Sequence, residues 1–349
     1  MAGRARPLTP TTKDKMETSL FDYALPEELI AQEPVEPRDA SRLLIVHRAT
    51  GQLEHRHFYD LPDYLQAGDT LVLNDTRVSA RRLFGRKPTG GRVELLLLRP
   101  LGDGRWQALV RPGRRLPEGS LILLDEGHTA QIEARLEEGI RLVRFIPPDD
   151  AWLQQVGQIP LPPYIHRQLT DPERYQTVFA REPGAAAAPT AGLHFTPQLL
   201  ERLKTQGVQI ATVTLHVSLD TFRPLQSEHV EAHKMHGEWF TLSPEAAAVI
   251  NQTRGRIVAV GTTSVRVLES AAVGRRQVQP LTGETRLYIT PGYAFKVVDA
   301  LITNFHAPRT TVLVLVCAFA GRELILHAYQ EAIRLRYRFL SFGDAMLIL

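Results

Sequence analysis

The stretch RVELLLLRP at residues 92–100 lies inside a region made almost entirely of short apolar or alternating runs. The other runs are TLVLND (70–75), RWQALVRP (105–112), SLILLD (120–125), TAQIEARL (129–136) and IRLVRFI (140–146). Glycine-rich or charged turns separate them, such as Gly90-Gly91 and Gly102-Asp103-Gly104. Regularly spaced short strands with such turns indicate an antiparallel barrel or sandwich. We therefore predict a small antiparallel β-barrel domain over residues 70–147.

On the carboxyl side of this region, helical and strand patterns alternate. PQLLERLKTQ (197–206), EAAAVINQT (245–253) and ELILHAYQEAIRLRY (323–337) predict helices, whereas VQIATVTLHV (208–217) and RIVAVG (256–261) predict strands. This alternation indicates an α/β layer around a mostly buried sheet. The predicted fold class is α/β (α+β): a larger mixed α/β domain, residues 20–69 and 148–349, into which the β-barrel domain is inserted. Residues 1–19 are predicted to be a disordered extension.

Composition excludes several classes of protein. Of 349 residues, 44% are hydrophobic and 23% charged, which is typical of a globular chain. The net charge of +3 says little about partners. The single cysteine, Cys317, excludes a disulfide scaffold, a thiolate zinc site and an iron–sulfur protein, and it favours a reducing, cytoplasmic location. The longest apolar run, residues 312–320, is far shorter than the ~20 residues that span a bilayer.

The strongest local signal for chemistry is RIVAVGTTSVRVLES at residues 256–270. A buried strand precedes a turn, Gly261-Thr262-Thr263-Ser264, and a helix is predicted to begin near Val265. Free N–H groups at a helix start hold a carboxylate or a phosphate, and Arg266 can add a charge-assisted contact. An ordinary capped turn explains the same pattern. The sequence contains no P-loop and no GxGxxG fingerprint.

A second candidate is the loop GAAAAPTAGLHFT at residues 184–196. Its small residues allow the backbone to approach a ligand closely. His194 and Phe195 at its end supply a possible proton carrier and a possible stacking surface. An ordinary loop of this composition is equally compatible with the pattern.

Three histidines, His229, His233 and His236, have the spacing of one helix face and thus of a metal site. Gly237 would interrupt such a helix, so hydrogen-bonding histidines are favoured and no metal is predicted. Taken alone, His216 and His306 are each more typical of structural histidines.

Basic residues cluster without any acidic residue between positions 77 and 92. The cluster comprises Arg77, Arg81, Arg82, Arg86, Lys87 and Arg92, and Arg111, Arg114 and Arg115 form a second group. Such clusters suit phosphate backbones, although a solvated charged face is the ordinary explanation. The aromatic pattern of an RRM is absent.

Beyond these patterns, the chain resembles the S-adenosylmethionine:tRNA ribosyltransferase-isomerase family of queuosine biosynthesis. The similar stretches run in order over nearly the whole chain: LPEELIAQEP, RDASRLL, GDTLVLNDTRV, GGRVELLLL, LPPYI, YQTVFA, GAAAAPTAGLHFT, VTLHV, HKMHGE, AVGTTSVRVLES, PGYAFKVVDALITNFHAPRTT, AFAG and YRFLSFGDAMLI. The resemblance implies a larger α/β domain carrying a β-barrel domain. It also implies S-adenosylmethionine as a consumed co-substrate rather than a cofactor, tRNA as the partner, and no metal.

The implied reaction moves the ribosyl part of S-adenosylmethionine to 7-aminomethyl-7-deazaguanine at the tRNA wobble position. The product is epoxyqueuosine, and adenine and methionine leave. These steps need proton transfers near neutral pH. The histidines inside the similar stretches are the candidate acids and bases: His194, His216, His233, His236 and His306.

The resemblance also suggests substrate-binding residues. The methionine carboxylate is expected at Gly261, Thr262, Thr263 and Ser264 with Arg266, and Phe195 or Tyr293 is expected to stack on adenine. The remaining candidates near the substrate are Asn74, Asp75, Thr76, Arg77, Thr190, Gly192, Asn304, Gly343 and Asp344. The tRNA is expected to contact Arg81, Arg82, Arg86, Lys87 and Arg92, and the protein is expected to be a monomer.

Two other functions remain open. Where the family usually has a glycine-rich turn, this chain has Ser218-Leu219-Asp220, so a tRNA-binding protein without catalysis is one alternative. The other is an S-adenosylmethionine-dependent RNA methyltransferase, against which the absence of a glycine-rich first-strand motif counts. Release of adenine, instead of S-adenosylhomocysteine, separates the family's reaction from methyl transfer.

Overall fold

A computed structural model of the protein describes residues 15–218 and 224–349. The strands, numbered along the chain, are β1 (Arg42–Val46), β2 (Leu53–His57), β3 (Thr70–Asn74), β4 (Thr76–Val78), β5 (Arg81–Arg86), β6 (Arg92–Gly102), β7 (Arg105–Arg111), β8 (Leu121–Leu123), β9 (Thr129–Arg135), β10 (Ile140–Ile146), β11 (Glu182–Ala185), β12 (Gln209–Leu215), β13 (Glu238–Leu242), β14 (Ile257–Val260), β15 (Ala272–Gly274), β16 (Gln277–Val278), β17 (Leu281–Thr285), β18 (Ala300–Asn304) and β19 (Ala345–Ile348). The α-helices are α1 (Asp150–Val156), α2 (Pro197–Thr205), α3 (Pro244–Asn251), α4 (Gly261–Ser270), α5 (Thr311–Ala320) and α6 (Arg322–Arg334).

Nine strands form a large mixed sheet in the order β17-β13-β12-β3-β14-β18-β19-β1-β2. β12, β3, β14 and β18 are parallel neighbours. β3, β14 and β18 are buried at every position, as expected for strands covered on both faces. One apolar cluster, which includes α5 and α6, packs with residues of one face, and a second, which includes α2, packs with the other. The sheet therefore holds the carboxyl ends of four strands rigidly at one edge.

Six strands close into a barrel in the order β10-β7-β6-β5-β8-β9. Inward positions alternate along them; in β10, Arg141, Val143 and Phe145 are buried whereas their neighbours are not. This alternation matches the period of two along a strand. The predicted fold class is thus confirmed: a mixed α/β part with an antiparallel barrel inserted between β4 and α1.

The predicted barrel boundary at residue 70 is wrong. β3 begins at Thr70 and lies in the middle of the large sheet, paired with β12 and β14, and the first barrel strand begins at Arg81. The entirely apolar core of β3 suits a strand with both faces covered better than an alternating barrel strand. That the barrel forms a separate domain stays a prediction.

The expected disordered extension is too long at its carboxyl end. The Thr18 N–H donates to the Glu228 carbonyl at 2.9 Å, and the Val230 N–H donates to the Met16 carbonyl at 2.9 Å. These backbone hydrogen bonds fix residues 16–18 against the segment 228–230. Residues 1–14 lie outside the described residues.

Within residues 15–218 and 224–349, no single helix is long and apolar enough to cross a membrane. α5 and α6 meet this test only when taken together as a pair bent by 113°.

Candidate active site

Residues at the ends of four neighbouring strands meet at one edge of the large sheet. Because β12, β3, β14 and β18 are parallel, their carboxyl ends share this edge. The residues at these ends are Asn74, His216, Gly261 and Asn304. β19 and β1 run in the opposite direction, so Asp344 and Ser41, which precede them, reach the same edge. We call this edge the carboxyl edge; most of the predicted site residues lie on it or beside it.

A crevice of about 800 Å³ opens between the carboxyl edge and the barrel. Its volume lies within the ~300–1,000 Å³ typical of small-molecule sites. Residues of the barrel, of α1 and of the large sheet line it, among them Arg81, Arg99, Trp106, Asp150, His216 and Trp239. We call this cavity the interdomain crevice, after the two predicted domains.

His216 is the predicted acid–base residue that lines the interdomain crevice. Its Nδ1 lies 2.8 Å from the Thr76 hydroxyl, and its ring stacks on Trp239 with centroids 4.8 Å apart. Gly184 packs so closely against the ring that a side chain at position 184 would collide with it. Burial lowers the pKa of His216, although Asp75 opposes this shift. The imidazole is therefore neutral at pH 7 and able to accept a proton.

The loop after β3 positions His216. Asn74 Nδ2 donates to the Leu215 carbonyl and to Thr263 Oγ1, both at 3.1 Å, so it joins the end of β12 to the first turn of α4. Asp75 is buried, accepts a hydrogen bond from Thr214 Oγ1 at 2.6 Å and pairs with Arg181 at 2.7 Å. These partners hold the Asn74-Asp75-Thr76 loop in place.

Arg77, predicted to lie near the substrate, instead forms an ion pair with Glu173 at 2.5 Å, with both side chains partly exposed.

His194 is buried in a network at the carboxyl edge. Asn304 Nδ2 lies 3.2 Å from Nε2, and Ser41 Oγ lies 2.7 Å from Nδ1. Thr190 Oγ1 donates to Asn304 Oδ1 at 3.1 Å, which leaves the Asn304 amide nitrogen as donor to His194. Nδ1 therefore carries the hydrogen and donates to Ser41. Burial, with smaller contributions from nearby arginines, lowers the pKa of His194 to about 3.

The lowered pKa of His194 predicts that the stability of the protein depends on pH. His194→Gln should reduce this dependence. An unfolded histidine titrates near pH 6.5 and the folded one near about 3, so the unfolded state binds more protons between these values. The free energy of unfolding then falls as the pH drops, by at most about 1.4 kcal/mol per pH unit for one histidine. Urea unfolding at about pH 7.5 and about pH 5 should show a smaller loss in His194→Gln than in the wild type. Equal losses in both proteins would contradict the prediction.

His306 lies beside this network. Its Nε2 lies 2.8 Å from Thr303 Oγ1, its backbone N–H donates to the Tyr329 hydroxyl at 2.9 Å, and burial lowers its pKa to about 4. With Thr190 and Asn304 it lines a cleft of about 30 Å³. A cleft of this size holds about one water molecule, so His306 reaches a nucleoside only if the cleft widens.

The Gly261–Ser264 segment is part of a helix, not a turn before one. α4 begins at Gly261, four residues earlier than predicted, and all four residues are buried. Gly261 has a φ of +84°, a conformation that glycine adopts without strain. No side chain caps the helix at Val260, so its first N–H groups lack the usual side-chain acceptor.

Arg266 does not point an unpaired charge at a substrate. It forms a buried ion pair with Glu238, and it donates to the carbonyls of Leu287 at 3.1 Å and Thr285 at 3.2 Å. Glu238 also accepts the Ser218 N–H at 2.7 Å. That Arg266 binds the methionine carboxylate stays a prediction, and it would require this ion pair to open because the guanidinium is already paired. The rest of the altered loop, residues 219–223, lies outside the described residues.

The two aromatic residues expected to stack on adenine, Phe195 and Tyr293, do not line the interdomain crevice. Phe195 is fully buried and packs on Phe58 and Phe179, so neither ring face is open. The Tyr293 hydroxyl donates to Glu269 at 3.2 Å. Glu269 lies eight residues, or about 12 Å, along α4 from Gly261, so Tyr293 lies away from the carboxyl edge.

Three of the predicted substrate-binding residues, Gly192, Gly343 and Asp344, make close contacts within the protein. Gly192 packs against Phe179, and Gly343 packs against the backbone of Arg338, in each case too closely for a side chain. Asp344 is buried; it accepts the N–H groups of Arg42 and Arg338 at 2.8 Å each and pairs with the Arg42 guanidinium. Asp344 therefore fixes the chain ends that enter β1 and β19.

The segment with His229, His233 and His236 is not an α-helix; it contains a single 3₁₀ turn, Val230–Ala232. His233 contacts Tyr288 edge-on, with centroids 5.5 Å apart, and His236 is exposed. In the part of the chain that the structure describes, no three His, Cys, Asp or Glu side chains group as metal ligands.

The predicted tRNA-binding cations lie along β5 and β6 of the barrel. Arg81 lines the interdomain crevice, and burial lowers its pKa. Arg82 pairs with Glu94 at 3.0 Å. Arg86 and Arg92 are exposed and directly opposite each other in the β5–β6 pair, and Lys87 donates to the Arg115 carbonyl at 2.8 Å.

Sequence patterns did not single out Ser41, Glu238 or Trp239, and they included Gly184 only as the first residue of a candidate loop. Three of them lie inside stretches that resemble the family, RDASRLL, GAAAAPT and HKMHGE, but their partners are distant in sequence. Trp239 had a signal of its own, because strand alternation next to the buried Phe240 predicts that it faces outward.

A profile of the queuosine biosynthesis protein family matches residues 18–348. The S-adenosylmethionine:tRNA ribosyltransferase-isomerase of Symbiobacterium thermophilum is 56% identical and that of Moorella thermoacetica 54% identical, each covering 96% of this chain and all of the relative. The crystal structure of S-adenosylmethionine tRNA ribosyltransferase from Thermotoga maritima is 43% identical, with a TM-score of 0.55, over 95% of this chain and all of that one.

Proposed function

Because the chain belongs to the queuosine biosynthesis protein family, we propose that it carries out the family's reaction in the interdomain crevice. It is an enzyme that transfers and isomerises the ribosyl part of S-adenosylmethionine onto tRNA. The position of His216, a neutral base on the wall of the crevice, is the observation that carries this assignment of the site.

The acceptor is 7-aminomethyl-7-deazaguanine at the wobble position of the tRNA. Its alkylamine is largely protonated at neutral pH and attacks only as the free base. The ribosyl group becomes an epoxycyclopentane ring, and epoxyqueuosine, adenine and methionine are the products. S-adenosylmethionine is thus a consumed co-substrate.

Exposure and hydrogen-bond partners assign different roles to His216, His194 and His306. His216 accepts a proton in the crevice, since it is neutral and accessible there. His194 is held by Ser41 and Asn304, and it positions the carboxyl edge. His306 has its Nε2 engaged by Thr303. His233 and His236, on the segment before β13, stay predicted acid–base candidates.

The start of α4 is the proposed anchor for the methionine carboxylate, without Arg266. Its uncapped N–H groups and the positive end of the helix dipole favour an anion. Asn74 links Thr263 to the residue before His216. A ligand bound at the helix start is therefore close to the proposed proton acceptor.

The barrel is the proposed tRNA-binding surface. β5 starts at Arg81 in the crevice and ends at Arg86, about 17 Å away. The exposed Arg86 and Arg92 lie directly opposite each other on the neighbouring strands β5 and β6. Like charges in such positions repel, and a phosphate between them removes the repulsion. Backbone phosphates beside the modified nucleotide can thus follow β5 away from the crevice.

Replacing Arg86 and Arg92 with glutamine is expected to weaken RNA binding without lowering stability. Each lost phosphate contact reduces the slope of log K against log salt by about 0.7 to 0.9, so the double variant should lose up to about 1.8 in slope. The measurement is fluorescence anisotropy with an anticodon stem-loop between about 50 and 200 mM salt. Arg254 and Arg275, also exposed but outside the barrel, provide the matched double control. An equal slope in both variants would contradict the barrel as binding surface.

The enzyme is further proposed to be a monomer that acts in the cytoplasm. The tRNA substrate is cytoplasmic, and a single buried cysteine fits a reducing compartment.

The direct test is to incubate the enzyme with S-adenosylmethionine and an anticodon stem-loop that carries 7-aminomethyl-7-deazaguanine. Mass spectrometry should find adenine, methionine and an RNA whose mass corresponds to epoxyqueuosine. Methylated RNA with S-adenosylhomocysteine would overturn the proposed reaction. Intact S-adenosylmethionine beside bound RNA would leave only the binding function.

A further inference from the structure

Trp239 occupies an unusual position for a tryptophan. In β13 its neighbours Glu238 and Phe240 are buried, whereas Trp239 points to the other face and is 43% exposed. Large aromatic side chains normally bury their surface. This side chain instead lines the interdomain crevice, with His216 stacked against it.

We propose that Trp239 is the platform on which the modified guanine base of the tRNA stacks. The inference rests on the proposed function and adds to it the position of the acceptor base. Every nucleobase offers a flat π-face to an aromatic side chain, and an enzyme that acts on a base in a folded RNA turns that base out of its stack into a pocket.

The charges of the crevice favour the RNA base over the adenine of S-adenosylmethionine. Two arginines, Arg81 and Arg99, line the barrel side, against one carboxylate, Asp150. S-adenosylmethionine carries a sulfonium, an ammonium and a carboxylate, a net positive charge, so the two arginines favour its binding on the large-sheet side of the crevice, near the start of α4, over binding against this wall. The phosphates that flank a nucleotide are attracted to the same wall.

The position of His216 also favours the RNA base as the group that stacks on Trp239. Its ring lies against Trp239 at an interplanar angle of 20° and lines the same crevice. A base stacked on the exposed part of Trp239 therefore shares the crevice with the proposed proton acceptor, and its aminomethyl group has to lose a proton there. Trp106, on the barrel wall of the crevice, provides a second aromatic surface opposite the large sheet.

A double-mutant cycle between Trp239 and the base tests the inference by binding alone. The probes are two anticodon stem-loops, one with 7-aminomethyl-7-deazaguanine and one abasic at the same position. In the wild type, loss of the base should raise Kd by about 5- to 150-fold, the usual range for one stacked base. In Trp239→Ala the two RNAs should bind almost equally, and Trp239→Phe should restore most of the difference.

The matched control is Tyr59→Ala. Tyr59 is also 43% exposed and follows β2 at the other end of the large sheet, so this variant should keep the full wild-type difference between the RNAs. An equal effect of the abasic RNA on the wild type and Trp239→Ala would overturn the inference. A raised Kd for S-adenosylmethionine in Trp239→Ala, with unchanged RNA binding, would overturn it too, since Trp239 would then hold adenine. Turnover in the product assay tests the proposed function separately, so each can fail without the other.

Discussion

His216→Gln is expected to lower kcat by about 10²- to 10⁴-fold, the range for loss of a positioned general base. Of the predicted acid–base histidines, His216 combines a neutral imidazole with a place on the crevice wall. Glutamine keeps a hydrogen-bonding group beside Thr76 but cannot take up a proton at neutral pH. The Kd values for RNA and S-adenosylmethionine should therefore stay within a few fold of the wild type while turnover collapses.

The pH profile sharpens this prediction. Because burial lowers the pKa of His216 below its ordinary value, wild-type kcat should fall only as the pH drops below the ordinary histidine range near 6.5. The residual activity of His216→Gln should lack this acidic limb. Steady-state rates across that pH range, with both substrates saturating, measure the difference.

His47→Gln is the matched control for His216→Gln. His47 bonds Glu54 at 2.7 Å and follows β1 at the opposite edge of the sheet from His216, so its loss should leave kcat and the pH profile unchanged. Full activity of His216→Gln would remove His216 from the proton chemistry and return that role to His306 or to a residue of the RNA.

Local sequence pattern is sufficient to predict structure where the interacting residues are close together in the chain. Thr50-Gly51 has the composition of a turn, and β1 and β2 pair as a hairpin on either side of it. Thr196, which directly precedes α2, caps it: its hydroxyl accepts the Leu199 N–H at 3.1 Å. Both features depend on residues a few positions apart, which propensity and capping rules describe.

Local sequence pattern is insufficient to predict contacts between residues that are far apart in the chain. GTTSVR has the composition of an anion-binding turn, yet Arg266 pairs with Glu238, 28 residues earlier. In the same way, the apolar core of β3 indicates a strand covered on both faces, but it does not show that the neighbouring strands are β12 and β14. The five candidate histidines came from the resemblance, but only the strand order shows that His216 reaches the crevice whereas His194 is enclosed.

The pairing of Arg266 with Glu238 predicts that Arg266→Ala acts on stability rather than on substrate affinity. The two side chains are 7% and 2% exposed, so removing one leaves an uncompensated buried charge. Such losses cost about 3–5 kcal/mol, and the carbonyls of Thr285 and Leu287 also lose their donor. The urea midpoint should fall sharply, whereas the KM for S-adenosylmethionine of the folded enzyme should stay close to the wild-type value.

Replacing both Arg266 and Glu238 distinguishes a structural ion pair from a role of Arg266 in substrate binding. Arg266→Met with Glu238→Leu removes the pair together, and well-packed apolar pairs often match a buried ion pair in stability. The double variant should therefore recover part of the urea midpoint lost in Arg266→Ala, while the Ser218 N–H keeps it below the wild type because its acceptor is gone. Arg334→Ala breaks a comparable contact, to Glu331 at 2.7 Å, at an exposed position, and should leave the midpoint unchanged because surface pairs contribute little. A stable Arg266→Ala with a raised KM for S-adenosylmethionine would instead mean that Arg266 leaves Glu238 to bind the methionine carboxylate when the substrate enters.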